Sequence, residues 1–150
     1  MSLGIIKLKT TVNADYDTVK KAFTDRDGKL FKFLLPLGCK VVHYKGLRRG
    51  AIIKVKILGE VVKFKNITYT STKEKTLFND IFKDGEFLGI KFWSHRHKIL
   101  NGKDTTTIFD EVTFTTRNRK LDLILHMLIS PFIKMRWIRY KLFFKGINHE

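Results

Sequence analysis

The segment KFWSHRHKILNGKDTTTIFDEV, residues Lys91–Val112, carries the strongest structural signal in this 150-residue chain. Its two halves are rich in β-branched and aromatic residues, which favour extended strands. Between them stands the sequence Asn101-Gly102-Lys103-Asp104, and asparagine, glycine and aspartate are typical of tight turns. The segment therefore predicts a β-hairpin.

The predicted turn also sets which residues of the hairpin lie opposite each other. Counting back from it gives the pairs Leu100–Thr105, His97–Ile108, His95–Asp110 and Trp93–Val112. Side chains alternate along a strand, so Trp93, His95 and His97 share one face, which Phe114 continues. The opposite face carries the polar side chains of Ser94, Arg96, Lys98, Thr105, Thr107, Glu111 and Thr113. The Trp-His-His face is therefore predicted to be buried, and a register slip of two residues would change the partners but not the faces.

His95 and Asp110 are expected to form a hydrogen-bonded pair on this apolar face, because a buried carboxylate needs a partner. Four interpretations of the pair are open. It braces two strands; it holds the polar end of an apolar ligand; His95, oriented by Asp110, transfers a proton; or His95 and His97 bind a metal ion together with His43 or Asp110. No further metal ligand with suitable spacing stands in the sequence, so neither a metal nor another cofactor is predicted.

The rest of the chain predicts an α+β fold. The first strand is GIIKLKTTV, where apolar and polar residues alternate, and two short helices follow it. Four further β-rich segments joined by short turns precede the hairpin, so six consecutive strands are expected to form an antiparallel meander. With the first strand, the predicted sheet has seven strands.

The C-terminal segment from Arg119 to Gly146 predicts one long helix, which Pro131 kinks or restarts. Its predicted buried stripe consists of Leu121, Leu125, Leu128, Phe132, Met135 and Leu142. A curved antiparallel sheet with this helix laid on its concave face accommodates all the predicted elements.

Composition sets limits on the class of protein. Hydrophobic residues make up 43% of the chain, which excludes a disordered protein, and the length fits one domain. The longest apolar run, Leu121–Ile133, is too short to span a membrane and contains Asp122 and His126. A single cysteine, Cys39, requires no oxidising compartment. A cytoplasmic location is therefore expected.

Two segments carry a family resemblance: FNDIFKDGEFLGIKFWSHRHKI and TTTIFDEVTF are similar to the polyketide cyclase/dehydrase branch of the START-like (SRPBCC) helix-grip superfamily. The family motifs are a Phe-x-Asp, a glycine before an aromatic residue, a Trp-x-His-x-His strand and a Thr-x-x-x-Asp strand. They fall here on Phe78 and Asp80, Gly85 and Phe87, Trp93, His95 and His97, and Thr106 and Asp110. The order of elements matches from Gly4 to Ile147, and Glu86 stands where the family commonly has proline.

The resemblance implies a helix-grip fold and a single START-like ligand-binding domain over residues 1–150. It also implies a cavity between the sheet and the C-terminal helix for a lipid-, polyketide- or sterol-like molecule. The predicted function is binding or carriage of such a small hydrophobic molecule, and the alternative is a cyclase- or dehydratase-type enzyme that uses His95 and Asp110. The residues expected to bind the ligand are Trp93, His95, His97, Asp110, Val112, Phe114, Phe78, Asp80, Leu125, Leu128 and Phe132.

A further hypothesis comes from the positive charge. The chain has a net charge of +16, which attracts nucleic acid or anionic membranes and also maintains solubility. The segment Ile133–Lys145 interleaves basic and aromatic residues, so it is either the solvated face of a docked helix or a weak contact with an anionic membrane. The membrane contact would use Lys134, Arg136, Arg139 and Lys141. No nucleic-acid-binding signature accompanies the segment, so nucleic acid is not the expected partner.

Overall fold

A computed structural model describes residues 4–82 and 86–147 of the chain, so Gly85 of the family motif lies outside the described residues. Strand β1 (Gly4–Val12) is followed by helices α1 (Tyr16–Thr24) and α2 (Lys29–Leu34). Asp15 is the N-cap of α1. Its carboxylate accepts a hydrogen bond from the Thr18 N–H at 2.9 Å, which satisfies one of the free donors of the first turn. The two predicted short helices are confirmed.

Six strands follow: β2 (Cys39–His43), β3 (Ile52–Ile57), β4 (Glu60–Ser71), β5 (Lys75–Phe82), β6 (Ile90–Asn101) and β7 (Thr106–Thr116). All seven strands form one antiparallel sheet in the order β1-β7-β6-β5-β4-β3-β2. The meander places sequence neighbours side by side, and β1 closes onto the last strand. The predicted α+β fold with a seven-stranded antiparallel sheet is confirmed.

The β6–β7 hairpin is also present, but its predicted register is wrong by two residues. His97 lies opposite Asp110, His95 opposite Val112, and Trp93 opposite Phe114. The last pair before the turn is Asn101 with Thr106, and the Gly102 N–H donates a hydrogen bond to the Thr105 carbonyl at 2.9 Å. The loop therefore begins one residue later than predicted, which shifts every partner by two residues and leaves the faces unchanged.

The C-terminal helix is long, as predicted, and consists of α3 (Arg119–Lys134) and α4 (Arg136–Ile147). Pro131 lies inside α3, and the irregularity comes at Met135. The Met135 N–H donates to the Pro131 carbonyl at 2.9 Å, and the Arg139 N–H donates to the Met135 carbonyl at 3.2 Å. Because hydrogen bonding continues through Met135, α3 and α4 act as one helix of about 43 Å.

The predicted buried stripe of this helix is largely wrong. Leu125 is buried, but Leu128 is 58% exposed and Phe132 is 53% exposed, and Met135 and Leu142 are exposed as well. The face that packs on the sheet instead carries Asp122, Leu125, Ser130, Ile133, Arg136, Tyr140 and Phe144. Apolar residues recur on two sides of this helix, and the helical period alone does not tell which side meets the sheet.

The interior contains two apolar clusters with polar residues between them. The first cluster joins α1, α2 and α4 to the sheet and includes Ile108 and Tyr140, and the second joins α3 to the sheet and includes Val112 and Ile133. On β7, Asp110 stands between Ile108 and Val112 with its side chain on the same face. The two clusters therefore enclose a buried polar layer.

No helix in residues 4–82 and 86–147 is both long enough and apolar enough to cross a membrane.

Candidate functional site

Asp110 is the centre of the buried polar layer, and its side chain is fully buried. Two histidines of the neighbouring strand converge on its Oδ1 atom: His95 Nε2 lies 2.9 Å away and His97 Nδ1 lies 3.0 Å away. The His95 contact is a hydrogen bond, so Nε2 carries the proton and donates it to the carboxylate. The His97 nitrogen is close, but its direction is unsuitable for a hydrogen bond, and it has no other partner among the described residues. The expected His95–Asp110 pair is thus present in spite of the register shift.

The C-terminal helix adds two groups that the sequence did not suggest for this site. The Arg136 guanidinium places Nη1 3.4 Å from Asp110 Oδ1, and the Tyr140 hydroxyl donates to the same oxygen at 3.2 Å. Arg136 and Tyr140 are one turn apart, so both side chains leave the inner face of α4 together. Arg136 is only 9% exposed, so the prediction that it contacts a membrane is wrong. The burial of Arg136 could have been inferred from its helical spacing, because it shares one side of the helix with Leu125, Ile133 and Tyr140.

The environment sets unusual protonation states. Burial, with the nearby His97 and Arg136, lowers the pKa of His95 to about 3, although Asp110 opposes this shift. Burial would raise the pKa of Asp110, but the hydrogen bond from His95, the proximity of His97 and the charge of Arg136 hold it well below its usual value. At neutral pH the site therefore contains a neutral His95 next to an ionised Asp110 and a charged Arg136.

A second carboxylate lies on the other side of His97. Asp80 Oδ2 is 4.0 Å from His97 Nε2, and Asp80 Oδ1 accepts a hydrogen bond from the Asn66 amide at 3.1 Å. Burial raises the pKa of Asp80 above its ordinary value. His97 also stacks on the Phe78 ring, with ring centroids 4.4 Å apart, so its plane is fixed by packing.

The site borders a small cavity of about 40 Å³ between the sheet and the short helices. One wall is polar and consists of Asp80, His95, His97 and Arg136. The remaining walls are apolar or aromatic and consist of Phe23, Leu30, Phe31, Leu34, Tyr44, Leu47, Ile53 and Phe78. A space of this size holds one or two water molecules.

Helix α2 and Tyr44 cover the cavity. The Tyr44 ring stacks on Phe31, with centroids 5.3 Å apart, and its hydroxyl donates to the Phe23 carbonyl at 2.7 Å. The Arg139 side chain donates to the carbonyls of Phe33 and Leu35 at the C-terminal end of α2. Arg139, a residue of the predicted membrane contact, is half-buried on α4 and links the C-terminal helix to the end of α2, while its contact with a membrane stays a prediction.

A larger concavity, of about 750 Å³, lies mainly on the opposite face of the sheet. Its side chains include Lys7, Lys9, Arg96 and Lys98, together with Phe109. It is separated from His95 and His97 by the sheet itself, since side chains alternate across the strands. The concavity is a basic surface and not the interior cavity expected from the family resemblance.

His95, His97 and Asp110 each offer one metal-ligating atom, and these atoms lie within 4.8 Å of one another. The set is compatible in type with a divalent transition metal. The Arg136 guanidinium, however, lies 3.4 Å from the Asp110 oxygen that the metal would share. A fixed positive charge at that distance opposes a second cation, so the residues fit an Asp–Arg ion pair better than a metal centre.

The predicted ligand-binding residues divide into three groups. Phe78, Asp80, His95 and His97 border the small cavity, with Asp110 behind them. Trp93, Val112, Phe114 and Leu125 belong to the second apolar cluster, where they pack against neighbouring side chains. Leu128 and Phe132 are exposed on the outer side of the C-terminal helix, away from the cavity. Ligand binding by these residues stays a prediction.

Comparison with known proteins finds relatives only at the level of structure. No family model and no curated protein sequence match the chain. Norcoclaurine synthase from Thalictrum flavum, in complex with dopamine and hydroxybenzaldehyde, matches with a TM-score of 0.68 at 19% identity, over 99% of this chain and 89% of that chain. The ginseng major latex-like protein 151 from Panax ginseng matches with a TM-score of 0.56 at 13% identity, over 92% of this chain and 96% of that chain.

The chain has the START-like helix-grip fold. A protein from Arthrobacter aurescens supports the same assignment, with a TM-score of 0.62 at 13% identity over 89% of this chain and 80% of that chain. The predicted fold is therefore confirmed. Identities this low show a shared START-like fold alone, so membership of the polyketide cyclase/dehydrase branch stays a prediction.

Proposed function

We propose that this START-like protein binds a small, mainly apolar molecule in the cavity beneath α2. The observation that supports this proposal is the composition of the cavity wall: one polar side with His95, His97 and Arg136 faces an otherwise apolar and aromatic lining. Binding sites for small molecules combine an apolar surface with a few polar groups that fix orientation. A ligand with one hydroxyl, carbonyl or carboxylate group matches this arrangement.

The size of the cavity restricts how the ligand enters. Typical sites for organic ligands have volumes of roughly 300–1,000 Å³, whereas this cavity has about 40 Å³. Binding therefore requires α2 and Tyr44 to move away from the sheet. Helix α2 has six residues and no side-chain cap at its N-terminus, so it is the element best suited to move. A compact aromatic compound needs less movement than a lipid or a sterol.

A related fold supports the choice of ligand class. Norcoclaurine synthase from Thalictrum flavum has been crystallised with dopamine and hydroxybenzaldehyde, which are small aromatic compounds with polar substituents. Phe23, Phe31, Tyr44 and Phe78 provide aromatic walls for a ring of this kind here.

Binding is favoured over acid–base catalysis by the protonation state of His95. An effective general base has a pKa near the working pH, and burial lowers the pKa of His95 to about 3. The lone pair left on Nδ1 is therefore weakly basic at neutral pH. His95 is better suited to accept a hydrogen bond from a ligand than to remove a proton from it.

Native mass spectrometry of protein purified from its own host tests the proposal, with hydroxybenzaldehyde as the first added probe. Leu47→Trp should fill the cavity and abolish binding, while Val42→Trp, on an exposed position of β2, should leave binding unchanged. His97→Phe keeps the stacked ring but removes the polar nitrogens, so affinity should fall about tenfold. A wild-type protein that carries no ligand and binds none from a panel of small aromatics, or equal binding by both tryptophan variants, would exclude the proposal.

A further inference from the structure

The C-terminal helix carries a second apolar stripe on the side that faces away from the sheet. The stripe consists of Ile124, Leu128, Pro131, Met135, Ile138 and Leu142, all exposed and spaced by three or four residues. This spacing places them on one line along the helix axis. From Ile124 to Leu142 the line extends about 27 Å. Water-exposed apolar patches of such length are rare on proteins without a partner surface.

The charges beside the stripe all have the same sign. Lys134, Lys141 and Lys145 are exposed along its flank, and Arg119 and Lys120 are exposed at its N-terminal end. The only acidic residue from Arg119 to Ile147 is Asp122, which is buried on the inner face and accepts a hydrogen bond from the Thr116 N–H at 2.7 Å. The outer face of the helix therefore combines apolar and basic side chains without any exposed acid.

We propose that this stripe docks the protein onto an anionic lipid bilayer, with the helix lying in the plane of the interface. Helices that bind in this way have one apolar face, lysine and arginine at its border, and aromatic residues at the interface. Trp137 is 44% exposed on the flank of the helix that carries the lysines, and the Lys141 ammonium lies over its ring at 4.3 Å. Tryptophan and lysine side chains suit the boundary between headgroups and acyl chains.

Charge decides between a bilayer and a second copy of the chain. A dimer through the stripe would place the lysines of one copy against those of the other, in a protein that already has a net charge of +16. Like charges across an interface oppose association. Anionic lipids instead neutralise the same lysines, so the apolar stripe and the basic residues beside it both favour an anionic bilayer over a second copy of the chain.

Co-flotation with phosphatidylcholine vesicles, with and without phosphatidylglycerol, tests the proposal. We expect wild-type protein to bind only the anionic vesicles and to dissociate as salt is raised. Met135→Ser and Ile138→Ser should each lower the partition coefficient about tenfold, because each removes an apolar anchor. Lys134→Glu with Lys141→Glu should lower it at least about tenfold.

The matched control is Lys40→Glu with Lys56→Glu. These two lysines are exposed and face each other on β2 and β3, at the edge of the sheet opposite β1, on which α3 and α4 pack. The control changes the net charge by the same amount as the double variant on the helix, so it should lower the partition coefficient by less than about threefold. Fluorescence provides a second measurement. In a Trp93→Phe background Trp137 is the only tryptophan, and its emission should shift to the blue on anionic vesicles.

Three results would overturn the proposal. The first is no binding of the wild type to anionic vesicles at low salt. The second is an equal loss of binding in the control and in the Lys134/Lys141 variant, because binding would then follow net charge and not the stripe. The third is a stable dimer in light scattering that Ile138→Ser dissociates, because the stripe would then be an interface between two copies of the chain.

Discussion

The two faces of the C-terminal helix differ in a way that reverses the usual expectation. The inner face buries Asp122, Arg136 and Tyr140 among its apolar residues, while the outer face exposes Ile124, Leu128 and Ile138. A helix that packs on a sheet ordinarily turns its most apolar side inward. Here the inner face has specific polar partners on the sheet, while the exposed outer face is apolar and is the surface that we propose docks on a bilayer.

The inner face shows why a charged residue tolerates burial. Arg136 lies 3.4 Å from the fully buried Asp110, which also accepts hydrogen bonds from His95 and Tyr140. A buried charge is stable only when it is paired and hydrogen-bonded. The network joins β6, β7 and α4, so it braces the fold in addition to any role in binding. Bracing of the strands by the His95–Asp110 pair is therefore compatible with the proposed binding of a ligand.

The largest effect is expected from breaking the inner ion pair. Arg136→Met leaves the Asp110 carboxylate buried without its cation, which should lower the free energy of unfolding by about 3–5 kcal/mol. Urea unfolding followed by circular dichroism measures this change. The double variant Arg136→Met/Asp110→Asn removes both charges and should recover part of the loss. Equal stability of Arg136→Met and wild type would contradict the proposed importance of the pair.

A smaller effect is expected from the apolar part of the inner face. Leu125 is 7% exposed and packs in the second apolar cluster. Leu125→Ala should lower the free energy of unfolding by about 2–4 kcal/mol, because it leaves a cavity against the sheet. Denaturant unfolding of this variant, measured under the same conditions as the wild type, checks the prediction, and a loss below about 1 kcal/mol would mean that the inner face is misassigned.

The pH dependence of stability should reveal the buried His95. Burial lowers its pKa to about 3 in the folded protein, whereas a histidine in an unfolded chain titrates near pH ~6.5. Between these values the unfolded chain binds a proton that the folded chain does not, so stability is retained above about pH 6.5 and falls as the pH falls. From about pH 6.5 to pH 5 the expected loss is roughly 2 kcal/mol.

The variant His95→Gln separates this effect from that of the carboxylates. Glutamine can still donate to Asp110 but does not titrate, so its unfolding free energy should change less over the same pH range. Asp80 acts with the opposite sign, because its raised pKa favours the folded state as the pH falls. Asp110, whose pKa is lowered, contributes its loss only below about pH 4. Identical pH profiles for wild type and His95→Gln would show that His95 is not the titrating group.

The smallest effect on stability is expected on the outer face. Leu128 stands one turn from Leu125 in the same helix but is 58% exposed. Leu128→Ala should change the free energy of unfolding by no more than about 0.5 kcal/mol. The pair Leu125→Ala and Leu128→Ala thus compares the same substitution on the two faces, and a large loss for Leu128→Ala would show that the outer face is covered within the protein.

The hairpin shows how much of the site was accessible from the sequence. Strand alternation placed His95, His97 and Asp110 on the correct face, because a period of two does not depend on the register. The exact partners were wrong, since the turn begins at Gly102 and not at Asn101. The His95–Asp110 hydrogen bond was nevertheless predicted correctly, because histidine is long enough to reach diagonally across two strands.

The sequence alone determined the element order, the seven-stranded antiparallel sheet, the faces of its strands and the long C-terminal helix, because these depend on local periodicity and turn chemistry. Which side of that helix is buried became clear from the three-dimensional packing alone. Apolar residues recur on both sides, and the buried side is the one that carries Arg136 and Tyr140, whose hydrogen-bond partner Asp110 is on a distant strand. Local sequence patterns contain no information about such a partner, so the buried cation, the closed cavity and the outer apolar stripe became visible only once the helix had been placed on the sheet.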